Sequence, residues 1–409
     1  MVNPSDKSFA INESYVQDNE YSIQVNRLFL KPIGAWSTIN STSKKERTIG
    51  LIINFICYLL ITLTVIPSTM FILLEDTNIN ERLKALGPMS HWLMGGLNYS
   101  FLLLKRKKIA KCIEHIKTDW RRVKRTQDRR LMLKNAKFGR FIACISAFCM
   151  HLGVSSHCLT CIATKIEVPI GNETIIMHPL PCPIYTKLVD TRYSPMNEIY
   201  LTIESLAGFI VNSVTVGACG LAAVFAMHAC GQLGVVMAWL DDLVNENGKD
   251  MKFAEERLAD IVRLHLRALS FVSCIEEIMN QICFVELVGC TLNLCMLGYY
   301  SIMEWDKEKR NSAMFGVIFC AMTFNVFIFC YIGENISEEV GKRAYLSNWY
   351  QLHHKTSLGM VLIILRSNCV VKITAGKLIE TSIATFADVS IGKIILNVRF
   401  LHLYVVAGD

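Results

Sequence analysis

The chain has 409 residues, of which 52% are hydrophobic and only 19% are charged, whereas soluble domains carry about 25% charged residues. This composition excludes an ordinary soluble protein and predicts a membrane protein. The net charge of +7 does not indicate nucleic-acid binding, because the basic residues crowd into one segment between apolar runs.

Six segments are apolar over the length that a membrane-spanning helix requires. The hydrocarbon core of a bilayer is about 30 Å thick, so a helix crosses it with about 20 apolar residues. In chain order the six predicted spans are Ile49–Leu74, Leu83–Leu104, Phe141–Ala163, Ile199–Met227, Ile278–Met303 and Ser312–Ile332. They predict an all-α integral membrane protein.

The connection between the second and third spans is strongly basic. Residues 105–140 carry fifteen Lys and Arg side chains against three acidic ones, and such loops remain in the cytoplasm. Because two spans precede this loop, the amino-terminal residues 1–48 are predicted to be cytoplasmic as well. These residues lack the apolar core of a signal peptide, so we expect the first span to direct insertion.

The connection between the third and fourth spans is then on the outer side. It contains an Asn-Glu-Thr triplet at Asn172, and the outer side is where such acceptors are glycosylated. Cys158, Cys161 and Cys182 lie in or beside this loop. One interpretation is a disulfide from Cys158 or Cys161 to Cys182, and the other is unpaired thiols at the membrane edge.

Two carboxylates fall within predicted spans, where a charge is costly. Glu286 lies about eight residues into the fifth span, and Glu204 lies near the outer end of the fourth. Each is interpreted either as a partner in a helix-to-helix hydrogen bond or as part of an ion pathway. In the second span, His91, Gly95 and Asn98 recur on one helical face, which predicts a close approach to another helix.

The outer halves of the second to fifth spans combine apolar and aromatic side chains with a few polar groups. This combination is typical of a pocket for a small apolar molecule. The candidate binding residues are His91, Trp92, Tyr99, Met150, His151, Tyr200, Phe209, Tyr299 and Tyr300. For each residue alone, lipid contact or ordinary core packing is the alternative.

Beyond the sixth span the hydropathy pattern is ambiguous. Residues 358–371 are too few to cross a bilayer and are interrupted by Arg366, which favours a buried or interfacial helix. A seventh span over residues 378–406 would contain Glu380, Asp388, Lys393 and Arg399. Hydropathy alone therefore does not establish this span.

Enzymatic motifs are missing from the sequence. It contains no His-Glu-x-x-His, no glycine-rich phosphate loop and no glycine-flanked nucleophile elbow. The Cys158 and Cys161 pair has zinc-like spacing, but no second pair follows it. We therefore expect neither catalysis nor a cofactor or metal ion.

An ordered series of motifs begins at the end of the sixth span. It comprises Phe-Cys-Tyr-Ile-Gly-Glu with Tyr331, Gly333 and Glu334, then Tyr345, Trp349 and Arg366, and finally Thr-Ala-Gly-Lys ending at Lys377. This series resembles the carboxyl-terminal signature of insect odorant receptors. Residues 218–233 are similar to the fourth span of the receptors that are expanded in ants, bees and wasps.

The resemblance implies seven transmembrane helices, a cytoplasmic amino terminus and the channel fold of the insect olfactory receptors. It implies a heterotetrameric, non-selective cation channel formed with a shared olfactory co-receptor, without a G protein, in the plasma membrane of sensory dendrites. Residues 49–332 would hold the odorant pocket, among spans two to six in the outer half of the membrane. Residues 333–377 would form a cytoplasmic anchor, and residues 378–409 the seventh, pore-lining helix.

The sequence departs from the family pattern after Val389. Residues 390–404 do not align with the turn and Leu-rich run expected there, and Lys393 and Arg399 would place positive charge on a cation pathway. We interpret this tail as the translation of a different last exon or of an unspliced intron. Sequencing the transcript across codon 389 tests the interpretation, and a normally spliced message encoding the tail would contradict it.

Three other classes of protein share a multi-span architecture. A G-protein-coupled receptor has its amino terminus outside, which would place the basic loop outside too. A transporter shows paired repeats and broken helices, and only Gly217 and Gly220 in the fourth span are compatible with a break. Gustatory receptors share the architecture, and the carboxyl signature and dependence on the co-receptor separate them.

Overall fold

The computed structural model of the protein is a bundle of long helices, and it describes residues 14–40, 43–170, 173–245, 251–303, 309–335, 340–367 and 372–389. The helices are α1 (Tyr15–Leu30), α2 (Ala35–Ile39), α3 (Lys44–Leu74), α4 (Ile79–Leu104), α5 (Arg106–Arg122), α6 (Thr126–Ala163), α7 (Met196–Asn245), α8 (Met251–Met303), α9 (Lys309–Asn335), α10 (Val340–Leu346) and α11 (His354–Ser367). Trp349–Gln351 form a 3-10 turn. Two antiparallel hairpins pair β1 (Ile166–Ile170) with β2 (Glu173–Met177) and β3 (Thr374–Ala375) with β4 (Ile379–Glu380).

Each of the six predicted spans lies within one helix. Among the described residues, α3, α6, α7, α8 and α9 are long and apolar enough to cross a membrane. The 26 residues of α4 correspond to about 39 Å, also enough to cross, and α4 packs against α3, α7 and α8. Of the predicted seventh span, residues 383–389 are helical, and residues 390–409 lie outside the described part of the chain.

Helices α7 and α8 extend far beyond a bilayer on the basic side of the protein. They have 50 and 53 residues, or roughly 75 and 80 Å. Apolar residues continue at helical spacing along both extensions and pack against α11, which the short apolar run at residues 358–371 predicted as a buried or interfacial helix. This second core includes Leu233, Val236, Leu240, Leu258, Ile261, Met360 and Ile363.

Helix α1 packs against α6 and α7 of the bundle. Asp18 on α1 accepts two hydrogen bonds of 2.8 Å from the Arg129 guanidinium on α6. Gly217 and Gly220 lie where α1 crosses α7, and a Cβ at either position would collide with an α1 side chain. Because α7 is continuous through both glycines, they serve close packing and do not break the helix.

The Thr-Ala-Gly-Lys motif is bound to the inner part of α8. The Thr374 N–H donates to Glu276 Oε2 at 2.8 Å, and the Gly376 N–H donates to the Asn280 carbonyl at 2.8 Å. Gly376 has φ +64°, and a Cβ there would lie 2.9 Å from Phe284 Cδ2. Only glycine fits this turn at no steric cost, so the motif encodes a backbone conformation as well as a contact.

The other signature residues lie around the inner ends of α9 and α11. Tyr331 stacks on Phe327 with ring centroids 5.8 Å apart, and Trp349 packs against the second core. A Cβ on Gly333 would collide with Thr381, so α9 and the residues before the tail meet at this glycine. The remaining signature positions are Glu334, which accepts from the Ile383 N–H at 3.3 Å, the exposed Tyr345 and Lys377, and the half-buried Arg366.

Candidate functional site

A cavity of about 820 Å³ lies between α4, α6, α8 and α9, beneath the outer loop. The cavity lies in the outer half of the bundle, because the residues of α4 and α8 that line it are near the outer ends of these helices. Helical side chains form its inner wall, and residues 177–186 of the outer loop line its outer side. The inner wall includes His91, Trp92, Met150, Asn212, Asn293 and Met322.

Charged groups are confined to the mouth of the cavity and are paired there. Lys84 Nζ lies 3.3 Å from Glu81 Oε1. The Arg192 guanidinium donates two hydrogen bonds of 2.8 Å to the Asp190 carboxylate. The deeper wall is mainly apolar, as ligand pockets for small apolar molecules are.

Three of the nine predicted binding residues, His91, Trp92 and Met150, line this cavity. They come from the outer part of α4 and the middle of α6. His91 and Trp92 are 7% and 3% exposed, so both rings are enclosed. Their contact with an odorant stays a prediction.

Tyr99 and His151 do not line this cavity. Tyr99 is twenty residues inward from the start of α4, and its hydroxyl donates to the Ile33 carbonyl at 2.6 Å. His151 follows Met150, but successive residues of a helix point about 100° apart, and its ring packs 5.3 Å from that of Phe29.

The remaining predicted binding residues also lie outside the lining of this cavity where the structure describes them. Phe209 is 38% exposed on the outer surface of α7, next to Gly208, which faces Trp92. Tyr200 is buried near Glu204, and Tyr299 is half-buried near the outer end of α8. The Tyr300 side chain lies outside the described residues.

A buried polar network lies about two helical turns below the cavity. Glu286 on α8 accepts hydrogen bonds of 2.6 Å from Asn98 Nδ2 on α4 and from Asn325 Nδ2 on α9. This confirms the helix-to-helix interpretation of Glu286. The predicted close approach along the same face of α4 is confirmed as well, because a Cβ on Gly95 would collide with Val211 of α7.

Cys158, Cys161 and Cys182 are free, buried thiols in the structure, which agrees with the interpretation of unpaired thiols and not with the disulfide. The Cys182 N–H donates to Glu204 Oε2 at 2.9 Å, so the partner of Glu204 is the backbone of the outer loop and not the second helix that the sequence interpretation named. Burial, together with the neighbouring Glu204 carboxylate, raises the pKa of the Cys182 thiol well above its ordinary value. A protonated thiol is a poor nucleophile for disulfide formation. Asn172 lies outside the described residues.

A charged cluster on the basic side escaped the sequence analysis. Asp119 on α5 is 7% exposed, and its carboxylate lies 2.6 Å from Arg267 Nε, 3.1 Å from His228 Nε2 and 3.0 Å from His115 Nε2. Gln232 donates to the same carboxylate. Burial alone would raise the pKa of Asp119, but the hydrogen bonds from His115 and His228 outweigh it and hold that pKa well below its usual range.

Comparison with solved structures shows the fold. The insect olfactory receptor OR5 from Machilis hrabei, in complex with eugenol, superposes with a TM-score of 0.79 at 12% identity, over 96% of this chain and 100% of that one. A second structure of the same receptor gives a TM-score of 0.74 at 14% identity over the same shares.

Sequence comparison finds odorant receptors that match part of this chain. Odorant receptor 82a of Drosophila melanogaster is 25% identical over 247 residues, 59% of this chain and 63% of the relative. Odorant receptor 10 of Aedes albopictus is 22% identical over 211 residues, 51% of this chain and 56% of the relative. The matched regions thus span less than two thirds of either relative.

The family assignment is independent of these partial matches. A model of the 7tm odorant receptor family matches residues 78–391, which is most of the chain and includes the cavity and the carboxyl signature. Proteins of this family are receptors and not enzymes. The chain therefore belongs to the insect odorant receptor family.

Proposed function

We propose that the chain is the odorant-binding subunit of a ligand-gated, non-selective cation channel. The observation that carries this proposal is the cavity of about 820 Å³ in the outer half of the bundle. Its mainly apolar wall suits a small volatile molecule. The similar receptor from Machilis hrabei was solved in complex with eugenol, which supports a small organic ligand here.

The channel would be completed by the olfactory co-receptor in a heterotetramer, in the plasma membrane of olfactory sensory dendrites. Residues 49–332 would provide the odorant pocket, residues 333–377 the cytoplasmic anchor and residues 378–409 the pore helix. The packing of the Thr-Ala-Gly-Lys motif on α8 supports this division, because it ties the segment before the pore to a helix that borders the cavity. Opening follows if odorant binds the open arrangement more tightly than the closed one.

Recording odorant-evoked cation current with and without the co-receptor tests the proposal. We expect current only when both chains are expressed. We also expect an epitope placed before Thr48 to be stained only after the cells are permeabilised. Both proteins at the surface with no current from a broad odorant panel would contradict the channel assignment.

Two adjacent positions of α9 provide a matched test of the cavity. Ile318 lines the cavity, whereas Phe319 does not line it and is 37% exposed on the surface of the bundle. Ile318→Trp should narrow the cavity and raise the half-maximal odorant concentration. Phe319→Trp adds a similar ring outside the cavity and should leave that concentration unchanged, and equal effects of the two changes would argue against this cavity as the odorant site.

A further inference from the structure

We infer that the cavity selects neutral odorants that carry a hydrogen-bond acceptor oxygen, such as ketones, aldehydes and esters, through the Trp92 N–H and the His91 imidazole. The inference rests on the proposed function only in taking this cavity to be the odorant site. It adds the ligand class and the residues that read it.

Trp92 supplies the first requirement for an acceptor. Its side chain lines the cavity and is 3% exposed. The indole Nε1 is buried and has no hydrogen-bond partner within the part of the chain that the structure describes. Indole nitrogen is a donor only, and a buried donor without an acceptor is unfavourable. A ligand oxygen against Trp92 removes that cost.

His91 supplies a second unsatisfied nitrogen beside the first. It lines the same cavity, is 7% exposed, and its Nδ1 is buried without a partner among the described residues. Its ring stands edge-on to the Trp92 ring with centroids 5.8 Å apart. One tautomer of the neutral imidazole carries a proton on Nδ1, and a carbonyl oxygen has two lone pairs. The two adjacent rings therefore each offer a nitrogen to a ligand oxygen.

The amide side chains of the inner wall are already engaged by the protein. Asn212 Nδ2 donates to the Gly208 carbonyl at 2.9 Å. Asn293 Nδ2 donates to the Gly289 carbonyl at 2.8 Å, and its Oδ1 accepts from the Ser90 hydroxyl at 3.2 Å. Each of these amides therefore has a partner within the protein, whereas Trp92 Nε1, His91 Nδ1 and His157 Nε2 in the cavity lining have none among the described residues.

The distribution of charge indicates that the ligand is neutral. The charged groups that border the cavity lie at its mouth, where Lys84 is paired with Glu81 and Arg192 with Asp190. An ionised ligand would have to leave water and bury its charge against an apolar wall, which is strongly unfavourable without a partner. A neutral oxygen atom on an apolar skeleton matches both the wall and its unsatisfied donors.

Matched ligand pairs test the inference. The probes are straight-chain 2-ketones of six to ten carbons, each with the 2-methyl-1-alkene in which a methylene group replaces the carbonyl oxygen. Binding is measured by thermal stabilisation of the full-length chain co-purified with the co-receptor, so the readout does not require gating. For the pair that binds most tightly, we expect the ketone to half-saturate the protein at a roughly tenfold lower concentration than the matched alkene.

Variants then assign the preference to the two rings. Trp92→Phe keeps an aromatic ring but removes the N–H, so it should bring the ketone-to-alkene ratio close to one while the alkene still binds. His91→Phe should reduce the same ratio and provides an independent variant if Trp92→Phe does not fold. Trp36→Phe is the matched control, because Trp36 is also buried but lies on α2, away from the cavity, and the ratio should stay at the wild-type value.

Several results would overturn the inference: equal binding of ketone and alkene by the wild type, no binding of either, or an unchanged ratio in folded Trp92 and His91 variants. Ketone-selective binding without any evoked current would leave the inference standing and would instead count against the channel proposal. The two proposals therefore fail separately.

Discussion

Replacement of Asp119 by asparagine should destabilise the cytoplasmic half of the protein. The Asp119 carboxylate joins α5 to α7 and α8, since it accepts from His228 and Gln232 on α7 and from Arg267 on α8. An asparagine of the same shape keeps one acceptor oxygen and turns an NH2 group toward these donors. Arg267 then loses the carboxylate partner that Asp119 provided, although the Arg267 side chain remains largely buried.

The size of the expected loss of stability follows from the burial of the ion pair between Asp119 and Arg267. Removing one partner of a buried ion pair costs about 3–5 kcal/mol. The Arg267 side chain is 28% exposed, so water recovers part of its solvation, and we expect a loss of roughly 2–3 kcal/mol. For a chain of this size the apparent Tm should fall by roughly 2–4 °C.

The assay is thermal unfolding of the purified protein in detergent, with Asp260→Asn as the control. Asp260 also pairs with an arginine, Arg263, at 2.9 Å, but both side chains are more than half exposed, so its loss should not shift the Tm measurably. Equal shifts for the two asparagine variants would refute the argument from burial.

The dependence on pH gives a second check of the same reasoning. Because the folded-state pKa of Asp119 is lowered, its contribution is complete above the unfolded carboxyl pKa of about 3.9 and is lost as the pH falls toward the folded value. The difference in Tm between wild type and Asp119→Asn should therefore persist at neutral pH and shrink only below about pH 4. A difference that disappears between pH 7 and pH 5 would contradict this assignment.

Three further predictions concern other parts of the chain. Glu286→Ala leaves two buried amide donors without an acceptor and should cost about 2–4 kcal/mol, measured by thermal unfolding, whereas Glu277→Ala at an exposed pair should have no measurable effect. Gly333→Ala forces a Cβ into Thr381 and should abolish evoked current, whereas Gly316→Ala, with open space around it, should conduct normally. Asn172→Gln should remove a glycosidase-sensitive shift in electrophoretic mobility, and a wild-type chain insensitive to glycosidase would show that Asn172 is not modified.

The membrane helices were predictable because hydropathy reports directly on transfer into a bilayer. The close approach at Gly95 was predictable as well, since three positions of one helical face are fixed by the period of the helix. The ends of α7 and α8 were not, because polar and charged residues such as Asp241 interrupt the hydropathy signal where the helices leave the membrane. Their inner faces are apolar, but hydropathy averaged over a window does not separate faces.

Helix α5 carried a signal that the sequence analysis passed over. Ile109, Ile113, Ile116 and Trp120 recur at the spacing of a buried helical face, within the loop that was analysed only for its charge. The partners of Asp119 had no such signal, because Arg267 is 148 positions away along the chain. Pairings of this kind follow from helix packing, and a single sequence does not encode packing in any local pattern.

The prediction of the residues that line the cavity was limited in a similar way. The outer halves of the helices were the correct region for His91, Trp92 and Met150. His151 is adjacent to a lining residue and yet points away. A single residue of offset rotates a side chain by about 100°, and hydrophobicity does not fix that rotation when both neighbouring faces are apolar.

Helix α8 runs without interruption from Met251 to Met303. Asn293 near its outer end borders the cavity, and Glu276 holds Thr374 of the carboxyl segment. The two positions are separated by roughly 25 Å of hydrogen-bonded helix, which behaves as a stiff rod. If an odorant in the cavity displaces α8, the helix would carry that displacement to the carboxyl segment as a tilt or axial rotation, without a relay of side chains.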